Sequence, residues 1–221
     1  VRVQNVGCDF DTDFGNCDSP GAPTTVAVVE GAVVGGELSV HETSRIDLSG
    51  GTVAGPLLAF GDATLTISGG LVSDFFEALG GDIVMTDGTL EGNVSVYLHG
   101  EMTISGGTIL GAIFSGDIAH VTIEGGTIGG RIEARDLAGE RITVVGSQFA
   151  VDGIPVPYGP IAAMEGTLTG LLASGDPIDV AFARDYSYTL IELAPGVPEP
   201  STALLLGSAA VGLMARRRRW D

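Results

Sequence analysis

The sequence predicts an all-β fold: a right-handed parallel β-helix, or β-solenoid, of about eight coils of ~19 residues, followed by a C-terminal transmembrane α-helix. Three observations predict it. Gly supplies 35 of 221 residues, yet 44% of the chain is hydrophobic, which separates it from Gly-rich disordered tracts. Gly-Gly-like pairs followed by a Thr-and-aliphatic step recur at anchors Gly31, Gly51, Gly70, Gly88, Gly107, Gly126, Ser147 and Gly166, with spacings of 20, 19, 18, 19, 19, 21 and 19. Around each anchor the apolar residues stand two apart, the period of one face of a strand rather than the 3.6 of a helix. Aromatics are only 6%, so the core is built from Val, Ile, Leu and Ala, a composition suited to thin stacked layers.

Residues 1–25 read as an acidic loop. Cys8 and Cys17 are the only cysteines, and two so close together read as one local disulfide formed in an oxidising compartment. Two free thiols, or half of a zinc site, are the alternatives, but zinc needs further ligands, and His41, His99 and His120 are distant in sequence. Asp9, Asp11 and Asp13 imitate the start of a calcium loop and form a weak Ca²⁺ candidate. Phe14 stands where the turn Gly belongs, and Pro20 where the closing Glu belongs, so a solvated acidic loop is the preferred reading and no metal is assigned.

Residues 26–150 carry the repeats. Five before each anchor stand Ile46, Leu65, Ile83, Met102, Val121 and Ile142, and three before it Leu48, Ile67, Met85, Ile104, Ile123 and Val144. Two after it stand Val53, Val72, Leu90, Ile109, Ile128 and Phe149, and six after it Leu57, Phe76, Val94, Ile113 and Ile132. These are the predicted core columns. The Gly pair turns the chain between them because Gly tolerates positive φ and close backbone approach. One such unit is too small to bury itself, whereas stacked units bury a continuous core. A β-sandwich of hairpins is the rival architecture.

From Val151 the composition shifts. Residues 151–194 read as a β cap, with GTLTGLLASGDPIDVAF as strand, turn and strand about Ser174-Gly175-Asp176-Pro177, covering the open end of the stack. Residues 195–221 differ again. Fifteen uncharged residues lie between Pro200 and Arg216, and as a helix they rise ~22 Å against a hydrocarbon core of ~30 Å. Tilt, local thinning and Arg snorkelling close that gap at modest cost. Arg216, Arg217, Arg218 and Arg219 then lie on the cytoplasmic side.

The order Val197, Pro198, Glu199, Pro200, then an apolar stretch, then the Arg cluster, resembles the PEP-CTERM sorting signal of Gram-negative bacteria. The resemblance covers about 25 residues. It implies recognition by an exosortase, a membrane cysteine protease-transpeptidase, with Pro198-Glu199-Pro200 as the recognition element and the Arg run as cytoplasmic stop. It further implies a protein that is exported, held in the inner membrane by its C-terminal helix until processing, and then placed at the cell surface or in an exopolysaccharide matrix. The same signal also carries the label of an ice-binding protein C-terminal domain. Residues 151–194 resemble, more loosely, a module that precedes this signal in other PEP-CTERM solenoid proteins.

Charge excludes one class of partner. Asp and Glu number 28 against ten cations, all Arg, for a net charge of −18, and four of those Arg are in the tail. Nucleic-acid binding needs cations that displace phosphate counterions, and outside the tail the chain has only six, so that class is close to excluded. Without Lys there is no Walker loop, and no Ser-His-Asp grouping sits on a nucleophile elbow.

The columns between the core positions face water. They include Arg45, Thr64, Asp82, Glu101, His120 and Arg141; Asp47, Thr66, Val84, Thr103, Thr122 and Thr143; and Thr52, Leu71, Thr89, Thr108 and Thr127. Thr52, Thr66, Thr89, Thr103, Thr108, Thr122 and Thr127 make a candidate ligand face, read here as one flat surface. Stacked hydroxyls suit an extended polysaccharide, although no aromatic platform accompanies them, and regularly spaced Thr suits ice. Asp82, Glu101 and His120, with Arg141 next, form the single constellation for polysaccharide cleavage by a lyase or hydrolase. A passive polar ladder competes with all three. The expectation is a structural or adhesive surface protein that is not an enzyme and has no cofactor beyond weakly held Ca²⁺. Its partners are then the exosortase, the bilayer and extracellular polysaccharide.

Overall fold

A computed structural model describes residues 2–3, 24–135, 139–186 and 189–196. The expected Cys8–Cys17 disulfide, the Ca²⁺ candidate Asp9, Asp11 and Asp13, and the expected C-terminal helix lie outside the described residues. Strand β1 (Arg2–Val3) precedes the winding. The first turn comprises β2 (Thr25–Val28), β3 (Val33–Val34) and β4 (Leu38–Val40). The second is β5 (Arg45–Val53) and β6 (Leu57–Phe60), the third β7 (Thr64–Val72) and β8 (Phe76–Leu79), and the fourth β9 (Asp82–Leu90) and β10 (Val94–Tyr97). The fifth is β11 (Glu101–Ile104), β12 (Thr108–Ile109) and β13 (Ile113–Ser115), and the sixth β14 (His120–Ile123), β15 (Thr127–Ile128) and β16 (Ile132–Ala134). Then follow β17 (Arg141–Val151), β18 (Ile154–Pro155), β19 (Gly159–Pro160), β20 (Glu165–Leu172), β21 (Pro177–Arg184) and β22 (Leu190–Pro195).

Each turn contributes a strand segment to three parallel faces. On the first, Ile46 pairs with Leu65, Leu65 with Ile83, Met102 with Val121 and Val121 with Ile142. On the second, Thr108 pairs with Thr89 and Thr127. On the third, Leu57 pairs with Phe76 and Val94 with Ile113. This parallel ladder is a β-solenoid and rules out the sandwich, whose hairpins would pair antiparallel.

The four core columns read from sequence point inward; all of their described members are buried apart from Ile128, which is partly buried against the core. A fifth column, Ala59, Ala78, Val96, Ser115 and Ala134, lies fully buried on the third face. Its small side chains let the third face close on the other two, and they escape a search for large apolar residues.

The regular winding has about six turns, not the eight expected. Ser147 and Gly166 do not open further regular turns: Ile142, Val144 and Phe149 around Ser147 are still buried, but the left-handed residue there is Gln148, with φ +57°, and the pairing with β20 is antiparallel. Ser147 lies inside β17, where the chain turns from parallel to antiparallel pairing with β20, Gly146 opposite Leu172 and Val151 opposite Leu168. Gly166 lies inside β20, in the hairpin with β21, opposite Phe182. The hairpin is an excursion from the stack. The end of β21 returns to the third face, pairing parallel with β16, and β22 returns to the first face beside β17.

The three corners differ. Between second and third faces the connection is three residues in all six turns, from Val34 to Leu38 through Ile128 to Ile132. Between third and first faces it varies: two residues from Leu79 to Asp82, three from Tyr97 to Glu101, four from Ser115 to His120. Positive φ recurs there on unlike residues, Glu42, Gly61, Gly80, Leu98 and Asp117. At the first corner it falls on the six anchor glycines Gly31 to Gly126 without exception.

That corner combines two constraints that can be separated. Gly31 has φ +79° and empty space around the position of a Cβ, whereas Gly70 has φ +84° and would place a Cβ 2.7 Å from the carbonyl oxygen of Gly50 in the coil before. Left-handed backbone alone costs an L-residue ~1–2 kcal/mol, and overpacking against fixed backbone adds ~1–3 kcal/mol. Chemical denaturation is therefore expected to show Gly31→Ala losing about 1 kcal/mol and Gly70→Ala about 3 kcal/mol. Equal losses would mean that contact between successive corners carries no weight.

Candidate functional site

The seven threonines of the candidate face fall into two columns, not one flat surface. Thr66, Thr103 and Thr122 belong to the first face, and Thr52, Thr89, Thr108 and Thr127 to the second. The Gly corner separates them, with register shifts inside β5–β7 and β7–β9. It also changes the parity of the inward positions, from 46 and 48 to 53, so the outward columns on its two sides are not continuous.

Within each column the hydroxyls stack in register. Thr103 opposes Thr122, and Thr122 opposes Thr143. Thr89, Thr108 and Thr127 do the same across the corner. Each run is thus three threonines at the coil spacing of ~4.8 Å. Both runs end toward the N-terminal coils on aliphatic residues, Val84 and Leu71. Thr66 is already engaged: the Arg45 guanidinium donates to its hydroxyl at 3.1 Å and to the Asp47 carboxylate at 2.7 Å. That hydrogen bond from Arg45 holds the Asp47 carboxyl below the usual carboxylate range.

The cleavage constellation is assembled in register but not into a concave site. Asp82 pairs with Glu101, Glu101 with His120, and His120 with Arg141. All four are exposed on the outside of the first face. Arg141 turns toward Glu192, 3.5 Å away on β22. General acid–base chemistry needs groups that converge on one bond and shed water, and this column presents its side chains side by side to solvent. Among the described residues no group of three or more His, Cys, Asp or Glu is close enough to hold a metal ion.

Two arrangements gave no signal in the sequence. On the third face Glu133 is buried between Arg131 and Arg135, accepting from Arg135 Nε at 2.5 Å and pairing with Arg131. Arg135 lies over the Phe114 ring, 3.7 Å from its centroid. The hydrogen bond to Glu133 holds the Arg135 guanidinium's pKa above its usual value. Charged residues in alternation read as surface in a sequence, and only the stacking of coils reveals that they cover one another.

The second arrangement is a clamp between the hairpin and the stack. In the turn joining β20 to β21, the Asp176 carboxylate accepts from the Gly126 N–H at 2.9 Å and from the Ser174 hydroxyl at 2.8 Å. The Ser174 N–H donates to the Glu124 carbonyl, and Ala173 N–H to that of Val145. The hairpin tip is thereby fixed to the corner of the sixth coil.

The described chain ends at Gly196, whose N–H donates to Gly146 on β17. From this point residues 196–219 match the PEP-CTERM protein-sorting motif. The span includes Val197, Pro198, Glu199, Pro200 and Arg216 to Arg219, all outside the described residues. This tail implies an exosortase-targeted exported protein that undergoes membrane-anchored processing. No curated protein and no solved structure matches the chain.

The clamp makes a pH-dependent prediction. The backbone N–H of Gly126, and secondarily the Ser174 hydroxyl, hold the Asp176 carboxyl below the usual range. A carboxyl depressed in the folded state stabilises it above its unfolded pKa of ~3.9, and that contribution disappears as pH falls through the folded value. Hydrogen-exchange protection of the Gly126 amide is expected to be constant from neutral pH to about 4 and to fall below it. In Asp176→Ala protection should already be low at neutral pH, with no such step. A Gly126 amide equally protected in both proteins would show that the carboxylate does not hold the hairpin tip.

Proposed function

We propose that this chain is a structural or adhesive component of the bacterial cell surface or exopolysaccharide matrix, delivered there by exosortase and not catalytic. The observation that carries the reading is the union of the sorting motif at residues 196–219 with a β-solenoid whose polar side chains are spread in exposed ladders instead of gathered in a cleft. A rod with two hydroxyl columns and alternating carboxylates offers a long polysaccharide repeated weak hydrogen bonds, and its avidity grows with the number of coils engaged. The absence of convergence among Asp82, Glu101, His120 and Arg141 argues for contact and against cleavage. Strong acidity keeps displayed rods soluble and apart, and it attracts Ca²⁺ diffusely without a dedicated site.

Ice binding is the second reading, favoured by the two registered runs Thr103-Thr122-Thr143 and Thr89-Thr108-Thr127. Repeated hydroxyls at one spacing are the feature it requires. Val84 interrupts the first run at a position that points to solvent and is 40% exposed.

Two measurements separate these readings. The chain truncated after Gly196, which keeps every described strand, is expected to co-sediment saturably with the extracellular polysaccharide of its own host and to leave the polymer's length unchanged. Failure to bind with and without Ca²⁺ would remove the matrix reading, and shortening of the polymer would restore the enzymatic one. For ice, Val84→Thr joins Thr66, Thr103, Thr122 and Thr143 into one run, with a stability change within ~0.5 kcal/mol because the side chain is on the surface. Under the ice reading this variant increases thermal hysteresis over the parent. If neither protein shows any, the threonines serve the glycan or the sheet alone.

A further inference from the structure

The loop 153–164, GIPVPYGPIAAM, contains no charged residue, in a chain with 28 acidic ones. It covers the C-terminal end of the stack. β18 pairs antiparallel with the end of β17, and β19 pairs antiparallel with β22, the last strand of the first face. Only Ile161 of this loop is buried in the core, while Ile154 is 69% exposed, Tyr158 53% and Met164 41%. The loop also bounds a mainly apolar cavity of about 350 Å³, lined by Val151, Ile154, Val156, Ile161 and Leu193 with Asp152 as its one charged side chain. Prolines at 155, 157 and 160 stiffen it and remove N–H donors that would otherwise seek partners.

The sorting tail leaves from the same place. The Gly146 carbonyl accepts both the Gly196 N–H and, at 3.4 Å, the Tyr158 hydroxyl. Five residues separate Gly196 from Thr202 in the uncharged stretch, a tether of at most about 20 Å even if fully extended. While that stretch is held in a bilayer, this end of the solenoid is confined to the lipid surface.

We propose that the loop 153–164 docks on the headgroup region of that bilayer, with Ile154 and Tyr158 entering the interface, so that the solenoid is seated on its C-terminal end. The proposal rests on the reading of the tail as membrane-held. Apolar side chains beside a Tyr are the composition that settles at a lipid–water interface, and Tyr158, with its hydroxyl on the Gly146 carbonyl, still leaves 53% of its surface exposed for that contact. The uncharged run between Asp152 and Glu165 also meets less Coulomb repulsion at a lipid surface than the acidic side chains around it, so neutral phosphatidylcholine is the fitting surface. A second copy of the chain is the rival occupant.

The full chain tests this in phosphatidylcholine vesicles carrying bromine on the acyl carbons nearest the headgroup. Two variants share a Trp220→Phe background, one with Ile154→Trp and one with Val33→Trp. Val33 is 72% exposed on the first coil, at the opposite end of the stack. Flotation with the vesicles reports whether the tail is inserted. The expected result is flotation of both variants with at least twofold stronger bromine quenching of the tryptophan at 154 than of that at 33. Flotation with equal quenching would overturn the docking and leave the tail reading intact. Failure to float would overturn both, and equal quenching with self-association at 154 would assign the patch to a second copy.

Discussion

Successive coils meet at the corner between the first and second faces, where a left-handed glycine in one coil sits against the backbone of the coil before. A Cβ on Gly51 would lie 2.5 Å from the Ala32 carbonyl oxygen, and one on Gly126 would lie 2.7 Å from that of Gly107. The corner therefore fixes backbone conformation and inter-coil distance at once. Everything inward follows from it: with the corner held, side chains five before, three before and two after the anchor glycine stack on their equivalents, and no coil needs a core of its own.

The same corner explains what was legible in the sequence. Where only Gly satisfies both constraints, the repeat survives as a letter pattern, and the inward columns around it can be read by eye. The third-to-first corner also uses positive φ but is not uniformly tight: a Cβ on Gly80 would lie 2.6 Å from the Gly61 carbonyl oxygen, whereas one on Gly61 meets nothing nearer than 3.6 Å, and Glu42, Leu98 and Asp117 serve in other coils, so no pattern forms. Where the winding stops was hidden for the opposite reason. Gly146-Ser147 has the spacing of a corner, but the left-handed residue falls on Gln148 at a register shift within β17, and the antiparallel partner there is recruited from residues 165–172, beyond any local signal. The hairpin turn at Ser174–Pro177 was readable from turn chemistry, but its hold on Gly126 was not, because those residues are 50 apart. For the candidate site, composition gave the threonines, and only pairing register showed that a bulged corner splits them.

The ends of the stack answer the problem that any open parallel sheet faces, an unpaired edge that invites another chain. At the C-terminal end β22 is covered by β19, with Pro160 in the covering strand offering no donor of its own. Along the sides, acidic residues keep like rods apart. The uncharged loop with exposed Ile154, Tyr158 and Met164 lies at the capped end, beside Gly196, where the described chain ends.

The unequal corners bear on how such a protein changes over time. Two of the three connections are fixed in length in every regular turn after the first, while the third runs from two residues to four and then to six between Ala134 and Arg141. Insertions and deletions at that edge leave the stacked faces in register. It is the margin along which new loops can be grafted without rebuilding the scaffold, and a descendant acquiring a new specificity would carry its novelty there, on the side away from the glycine spine.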